Sequence, residues 1–337
     1  MSAAPPPSGS AMGPPSSPPA EPRRPVDVVY IAGAHRSGGT ALGTLLATGA
    51  GVFYGGELYR FPFPIFDPGD PARRCSCGSP VALCPFWAAI RADADAHPLL
   101  LPELRQGQVR FESWPRFPLT LPRLLRKDPE LARHASHMAE FVRILADHAG
   151  ASVVVESSYN PLRGILYRRA DLGGGKVRFL HLVRDGRNFL GSELGPAGGV
   201  EAGSHWQRVP PAIVARWLVF HLATLVFCAR GRDSYLRIRY EDLLRSPRET
   251  LASIQRFLGV DLSAVVAQVE AHAPVPMVHI CAANRARLSG SLTLRPELAS
   301  PAKLTRAQSA LFWAMAGWLA LAFGYRPGGG KAPRTSS

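Results

Sequence analysis

Four short runs along the chain have the pattern of buried β-strands. Val28 through Ala32 is apolar at every residue, and Val153-Val154-Val155 is similar. Strands that are apolar on both faces are typical of a parallel sheet covered by helices. The predicted strands are Val26–Ala32, Ser152–Glu156, Lys176–Val183 and Tyr235–Arg239.

Longer stretches with apolar residues at helical spacing separate these strands. Two of their starts have the sequence of a capping box, one from Ser246 to Glu249 and one from Thr305 to Gln308. Strands that alternate with helices predict the α/β class, as a single doubly wound domain with a central parallel sheet flanked by helices. The predicted helices are Thr40–Thr48, Pro129–Ala149, Pro161–Arg169, Ile213–Arg230, Pro247–Leu258 and Arg306–Phe323.

Three segments are rich in Pro, Gly or Ser and show no such pattern. Residues 1–25 and 327–337 have the composition of disordered tails, which leaves 26–326 as the folded domain. Residues 61–122 are rich in Pro and lack clear periodicity, so we interpret them as an insertion that covers the sheet edge.

The charge of the chain bears on its ligand. The 337 residues contain 39 Lys and Arg against 25 Asp and Glu, which gives a formal net charge of +14. Such a surface suits an anion, and Arg binds phosphate or sulfate through two parallel hydrogen bonds. Nucleic acid would suit it as well, but zinc-finger spacing, a basic helix and an aromatic-basic RNA motif are all missing. We therefore favour a small anion and predict no nucleic-acid partner.

The length of the apolar runs and the number of cysteines bear on whether the protein spans a membrane and in which compartment it lies. The best candidate for a membrane span, residues 212–229, carries Arg216 and His221, so we interpret it as a core helix and predict no transmembrane segment. The first 25 residues lack the apolar core of a signal peptide. Together with an odd number of cysteines, five, this predicts a reducing compartment, the cytoplasm. A short amphipathic contact with a membrane surface is compatible with these predictions.

The first predicted strand runs directly into a glycine-rich turn and then a helix. The turn reads from Gly33 to Thr40 and is nearly a G-x-x-x-x-G-K-[ST] phosphate loop, a P-loop-like arrangement in which backbone N–H groups and the helix dipole hold an anion. Gly39 stands where the nucleotide-triphosphate loop has Lys, which argues against a kinase or NTPase. Arg36 supplies a cation inside the loop. The alternative is an ordinary glycine-rich turn.

Two further motifs follow later strands. Arg184 comes directly after the third predicted strand, at the edge where open α/β sheets bind ligands, and Ser192 follows eight residues later. Alternatively, Arg184 and Asp185 form a turn-capping ion pair. The last motif reads Arg239-Tyr240-Glu241-Asp242-Leu243 and is followed by Phe257-Leu258-Gly259, which by itself is simply a strand, a turn and a helix.

In this order, the three motifs resemble those of the sulfotransferases that use 3′-phosphoadenosine 5′-phosphosulfate (PAPS). The family pattern is R-S-G-T-T after the first strand, then R-D-P-R with a later Ser, then R-Y-E-D-L with a later F-L-G. The chain departs from it at Gly39, which replaces a Thr, and at Gly186, which replaces Pro. Gly39 removes a hydroxyl but keeps a backbone donor, so anion binding can survive. The resemblance covers residues 26–325 in outline.

The resemblance implies roles for individual residues. Arg184 and Ser192 would hold the 3′-phosphate of PAPS, and Tyr240 would lie near the nucleotide. The basic segment Asn284–Gly290 resembles a donor-binding loop of bacterial members, with solvated arginines as the alternative. PAPS would be a co-substrate, with no metal required. The residues that would hold its 5′-phosphosulfate are Arg36, Ser37, Gly38, Gly39, Thr40 and Ala41.

A general base has to be found among the remaining residues. After the second predicted strand, where cytosolic-type members have a His, this chain reads Glu156-Ser157-Ser158-Tyr159, similar to a bacterial D-S-S-K run with Tyr159 in place of Lys. Gly55-Gly56-Glu57 resembles the glutamate-base pattern of the tyrosyl-protein and carbohydrate branch. We therefore predict Glu57 as the base and Arg36 as the stabiliser of the leaving phosphate. The alternative for Glu57 is a solvated side chain.

Cys75, Cys77 and Cys84 form a cluster of three, while a structural zinc site needs four ligands. His97 is the nearest histidine along the chain, and free thiols or a disulfide are the favoured interpretation, so we predict no metal. Taken together, the sequence predicts a sulfotransferase whose acceptor is a carbohydrate, a phenolic metabolite or a lipid head group, with residues 61–122 covering the acceptor side. A P-loop kinase or NTPase and a non-catalytic anion- or nucleic-acid-binding protein are the alternatives.

Overall fold

A sheet of five parallel strands, in the order β2-β3-β1-β4-β5, forms the centre of the fold. The computed structural model describes residues 24–62, 73–113, 117–126, 128–195, 209–299 and 302–327. The predicted α/β class is therefore confirmed. The strands are β1 (Asp27–Gly33), β2 (Val52–Tyr54), β3 (Val153–Tyr159), β4 (Val177–Val183) and β5 (Tyr235–Arg239).

Helices cover both faces of this sheet. Side chains of β1 alternate between two hydrophobic cores: Val28 and Tyr30 pack with α5 and α6, and Val29 and Ile31 pack with α1 and α10. The uninterrupted apolar run of β1 follows from this double burial. The helices are α1 (Gly39–Leu46), α2 (Pro85–Ala96), α3 (Leu100–Gly107), α4 (Phe117–Leu125), α5 (Pro129–Ala149), α6 (Pro161–Tyr167), α7 (Gly186–Leu194), α8 (Pro210–Phe227), α9 (Tyr240–Arg245), α10 (Pro247–Leu258), α11 (Ser263–Glu270) and α12 (Arg306–Ala322). A two-stranded antiparallel ribbon consists of β6 (Val275–Pro276) and β7 (Ser291–Leu292).

The two predicted capping boxes have different outcomes. At the start of α12 the box is present: the Thr305 hydroxyl accepts from the Gln308 N–H at 3.2 Å, and the Gln308 side chain accepts from the Thr305 N–H at 2.9 Å. At the start of α10 the prediction is wrong, because the Ser246 side chain makes no capping hydrogen bond. Ser246 also ends α9, and its N–H donates to the Asp242 carbonyl at 2.8 Å. The conformation of Ser246 is therefore set by the end of α9.

The segment 61–122 contains helices that its Pro-rich pattern did not predict. α3 and α4 are short, and prolines punctuate the segment, so the apolar faces of these two helices repeat too few times to show a period. Trp87 of α2 is fully buried and packs against Phe53 of the edge strand β2 and against Phe61, with ring centroids 6.2 and 5.5 Å apart. Through Trp87, α2 therefore packs against the edge strand β2. Residues 63–72 and 114–116 of this segment, and residues 1–23 and 328–337 of the predicted tails, lie outside the described residues.

α8 is the one helix in the described part of the chain that is long and apolar enough to cross a membrane. Its 18 residues have a mean hydropathy of 1.5. Trp217 and His221 of this helix are fully buried and contact Phe312 and Phe323 at ring-centroid distances of 5.7 and 5.4 Å. Core helices of globular proteins meet the same criterion, so α8 is weak evidence for a membrane span.

Candidate active site

The loop between β1 and α1 has the geometry of an anion-binding turn. Gly38 has φ +99°, and a Cβ there would lie 2.3 Å from the Tyr240 ring, so only glycine fits. Arg36 has φ +62°, a left-handed conformation that side-chain-bearing residues rarely adopt. The Ser37 hydroxyl is fully buried and has no hydrogen-bond partner among the described residues. Since an unpaired buried hydroxyl is costly, the loop is suited to a polar ligand.

Gly39 lies directly against Tyr159 at the start of α1. A Cβ at Gly39 would be 2.2 Å from the Tyr159 hydroxyl, and that hydroxyl accepts a hydrogen bond from the Gly39 N–H at 3.0 Å. The space therefore admits neither the Thr of the family pattern nor the Lys of a nucleotide-triphosphate loop. The backbone donor that the sequence argument left available to an anion is bound to Tyr159 instead.

Arg36 is held by α7. Its guanidinium Nε lies 2.7 Å from a carboxylate oxygen of Glu193, and Nη1 donates to the Ser192 hydroxyl at 3.2 Å. Burial disfavours the charge of this carboxylate, but His35, Arg216 and Arg36 hold its pKa below the usual value. The loop cation thus has an internal counter-ion, which the sequence analysis missed because it considered only Ser192 in this helix.

Arg184 connects the end of β4 to the same loop. Its Nη1 donates to the Arg36 carbonyl at 2.8 Å, and its guanidinium carbon lies 5.3 Å from the centre of the Tyr240 ring. Its Nε is buried and lacks a hydrogen-bond partner within the described part of the chain. The structure therefore brings Arg36, Arg184, Ser192 and Tyr240 together at the carboxyl ends of β1 and β4, where open α/β sheets bind ligands.

Asp185 does not pair with Arg184, so that alternative interpretation was wrong. Its carboxylate lies 2.7 Å from the Arg187 guanidinium and caps α7 by accepting from the Arg187 N–H at 2.9 Å. The Asp185 N–H in turn donates to the buried carboxylate of Glu241 at 2.9 Å, which also accepts from the Tyr325 hydroxyl at 2.7 Å. Glu241 of the R-Y-E-D-L motif thereby holds the turn that presents Arg184.

Glu57 follows the edge strand β2. Gly56 has φ +96°, and a Cβ there would lie 2.0 Å from the Ala282 carbonyl oxygen, so this position also requires glycine. The Glu57 N–H donates to the same carbonyl at 2.6 Å. Its carboxylate accepts from the Arg60 Nε at 2.9 Å, and the side chain is 19% exposed. A carboxylate that is ion-paired and still reached by solvent can accept a proton from a bound molecule.

Two buried tyrosines lie between Glu57 and the loop. The Tyr54 hydroxyl is 2.8 Å from the Ser157 hydroxyl and also interacts with the Thr40 side chain. Burial raises the pKa of Tyr54 and of Tyr159, and the nearby charge of Glu57 raises both further. Neither tyrosine was among the predicted site residues. The one sequence signal was Tyr159 at the Lys position of the D-S-S-K-like run.

The other carboxylate near the end of β3 is fully engaged. Glu156 is fully buried and accepts from the Arg163 Nε at 2.5 Å and from the Ser158 and Tyr167 hydroxyls. Arg163 also pairs with Glu112 at 3.0 Å. Because this carboxylate is inaccessible and neutralised, Glu57 remains the more available base of the two.

The basic segment 284–290 contains one exposed and one buried arginine. Arg285 is exposed, as the solvated alternative expects. Arg287 is buried and donates to the carbonyls of Ala283 at 2.7 Å and Arg74 at 3.2 Å. Burial lowers the pKa of Arg287, and the charges of Cys281 and Glu57 oppose that shift.

Comparison with known proteins gives matches among solved structures. No protein-family model matches the chain, and no curated protein matches it. Among solved structures, the sulfotransferase domain of the Synechococcus PCC 7002 olefin synthase is 20% identical, with 91% of this chain and 97% of that chain covered and a TM-score of 0.49. The sulfotransferase domain of the curacin biosynthetic pathway is 17% identical, covers 88% and 98%, and has a TM-score of 0.47. A sulfotransferase from Mycobacterium tuberculosis H37Rv is 17% identical, covers 87% and 77%, and has a TM-score of 0.42. The fold class given above follows from the strand order of this chain itself.

Proposed function

We propose that this protein is a sulfotransferase that moves a sulfuryl group from PAPS to a hydroxyl or amine of an acceptor. The observation that carries the proposal is the convergence of Arg36, Arg184 and the unpaired Ser37 hydroxyl on a phosphate-type loop. Tyr159 occupies the space that a kinase would give to its loop lysine. Two arginines beside one loop suit a donor with anionic groups at both ends of its ribose.

The donor would lie across the ends of β1 and β4. The loop 36–41 would hold the 5′-phosphosulfate without the Gly39 N–H, which donates to Tyr159. Arg184 and Ser192 would hold the 3′-phosphate, and Tyr240 would border the nucleotide. Arg36 would exchange its pairing with Glu193 for the donor. The guanidinium groups would supply the positive charge that Mg²⁺ supplies in nucleotide kinases, so we propose no metal in the reaction.

In the proposed reaction, the acceptor oxygen attacks sulfur while Glu57 takes the acceptor's proton. The bond from sulfur to the 5′-phosphate oxygen breaks, and its electron pair stays on that oxygen. The products are the sulfated acceptor and adenosine 3′,5′-bisphosphate. Arg36 and the loop N–H groups would stabilise the charge that gathers on the leaving phosphate. The ion pair with Arg60 keeps the Glu57 carboxylate oriented.

The acceptor is proposed at the level of class: a carbohydrate, a phenolic metabolite or a lipid head group, bound on the side covered by α2, α3 and α4. A cytoplasmic location is part of the proposal, since none of the five cysteines forms a disulfide.

Calorimetric titration with adenosine 3′,5′-bisphosphate, ATP and ADP, with and without Mg²⁺, tests the donor site. We expect tight, Mg²⁺-independent binding of the bisphosphate that Arg184→Ala weakens. Arg178→Ala is the matched control, because Arg178 lies at the opposite end of β4 and pairs with Asp27. A preference for Mg-ATP would support a kinase, and salt-sensitive binding to polynucleotides alone would support a non-catalytic protein; either result would overturn the proposal.

A further inference from the structure

Three cysteines and one histidine meet beside the sheet edge formed by β2. The Cys77 and Cys84 sulfurs are 3.7 Å apart, and the His279 Nδ1 lies 3.3 Å from the Cys84 sulfur and 3.9 Å from that of Cys75. All four potential ligand atoms are within 4.8 Å of one another. His97, the nearest histidine along the chain, lies at the end of α2, whereas Cys84 lies at its start, and it is His279 that the fold brings to the thiols.

These distances match the edges of a zinc tetrahedron. With Zn–S bonds of about 2.3 Å and Zn–N bonds of about 2.0 Å, tetrahedral angles place two sulfurs ~3.8 Å apart and a sulfur and a nitrogen ~3.5 Å apart. A disulfide would need sulfurs about 2.05 Å apart, far closer than those of Cys77 and Cys84. We propose that Cys75, Cys77, Cys84 and His279 bind one Zn²⁺ in a closed structural site.

The fold builds this site from three separate segments. Cys75 to Gly78 form a tight turn, in which the Gly78 N–H donates to the Cys75 carbonyl at 2.9 Å and Gly78 has φ +92°. Cys84 is the N-cap of α2, directly before Pro85. The turn and the helix start together direct three thiols to one point, as zinc-binding turns require.

His279 is brought to the thiols by contacts that hold it firmly. Its backbone has φ +52°, its ring stacks on Phe86 at 4.8 Å and 10°, and its carbonyl accepts from the Trp87 Nε1 at 2.8 Å. The Ser76 hydroxyl accepts from the Ile280 N–H at 3.0 Å, which ties the cysteine turn to the histidine segment. An uncommon backbone conformation held from several sides is characteristic of functional positions.

Zinc at this point would stabilise the backbone around Glu57. Two residues beyond His279, the Cys281 N–H donates to the Gly55 carbonyl at 3.1 Å, and the Ala282 carbonyl accepts from the Glu57 N–H. The metal therefore positions the candidate base and takes no part in the reaction, since four protein ligands leave no open coordination position. On binding, three thiols lose their protons, and Zn²⁺ with three thiolates carries one negative charge. The site does not depend on the proposed sulfuryl transfer.

Metal analysis of the full-length protein, purified with reducing agent and excess zinc removed, tests this site. We expect about one zinc per chain, and after Co²⁺ exchange the absorption bands of a tetrahedral site with thiolate charge transfer. Cys77→Ser is the main variant, because the Cys77 side chain is exposed and its loss disturbs packing least. It should weaken zinc binding by more than about 100-fold, since outer-shell changes alone cost about 10–100-fold.

Matched controls separate ligation from general damage. Cys228→Ala removes a buried thiol at the end of α8, and His97→Gln removes the other histidine of the α2 region; both should keep full zinc content. Folded wild-type protein without zinc, or zinc that Cys77→Ser retains at wild-type affinity, would overturn the proposal. A disulfide between Cys77 and Cys84 in freshly isolated protein would overturn it as well. If Cys77→Ser does not fold, the zinc affinity of His279→Gln and the cobalt spectrum of the wild type test the same site.

Discussion

The Tyr159 hydroxyl and the Gly39 N–H form a hydrogen bond of 3.0 Å that joins the end of β3 to the start of α1. Two departures from the pattern described above, Gly for Thr in the loop and Tyr for Lys at the end of β3, are therefore one structural feature. The tyrosine occupies the volume that a side chain at position 39 would need.

This relationship predicts that substitutions at the two positions are coupled. Gly39→Ala should lower the free energy of unfolding by about 1–3 kcal/mol, because its methyl group would overlap the Tyr159 hydroxyl. In a Tyr159→Ala background the same change should cost much less. Urea unfolding of the four proteins measures the coupling, and additive effects would show that the clash is relieved elsewhere.

Glu57→Gln should reduce turnover by about 10²–10⁴, because the amide cannot take the acceptor's proton. The affinity for adenosine 3′,5′-bisphosphate should stay unchanged, since the carboxylate belongs to the acceptor side of the proposed site. Glu249→Gln, an exposed residue in the first turn of α10, is the control. Rates of sulfuryl transfer with a panel of acceptors check this prediction, and wild-type turnover in Glu57→Gln would remove the residue from its role.

Glu193→Gln should increase the affinity for the bisphosphate about tenfold, or ~1.4 kcal/mol. The carboxylate competes with the ligand for Arg36, and its removal leaves one more net positive charge beside the loop. Calorimetric titration measures the change, with Glu140→Gln on α5, which breaks a pair with Arg143, as the control. Weaker binding would instead mean that Glu193 orients Arg36 for the ligand.

The buried pair of His181 and His221 predicts that acid destabilises the fold. Their rings are joined by a hydrogen bond of 2.8 Å, and burial lowers the pKa of both, that of His221 to about 3. Below the usual histidine pKa of about 6.5, these two histidines are protonated in the unfolded chain but stay neutral in the folded chain. The free energy of unfolding therefore falls as the pH decreases toward the folded pKa. Each histidine contributes about 1.4 kcal/mol per pH unit within that window.

Urea unfolding between pH 7 and 5 measures this dependence above the range in which carboxylates titrate. His221→Phe should reduce the slope by the share of one histidine, although it also lowers stability at pH 7 by leaving His181 without this partner. His97→Gln, an exposed position, should leave the slope unchanged. A slope that His221→Phe does not alter would assign the acid sensitivity to other groups.

The sequence by itself determined the main strands of the central sheet and the limits of two of its helices. The strands β1, β3, β4 and β5 and the limits of α5 and α10 could be predicted, because hydrophobic spacing and the Pro and Gly at helix ends act over a few residues. Strand β2 has only three residues and exists through its pairing with β3, so no local pattern could predict it. The helices α7 and α9 are short and begin within three residues of the end of their strands, so the sequence shows no separate helical period for them.

Only the tertiary structure decided which side chains meet. Tyr159 reaches Gly39 across 120 residues, Arg36 finds its partner in α7, and His279 joins Cys84 across 195 residues. Local spacing contains no information about such pairs, because packing of the sheet and its helices sets them in three dimensions. The sequence therefore places a phosphate-type loop after the first strand, and the fold determines which groups surround it.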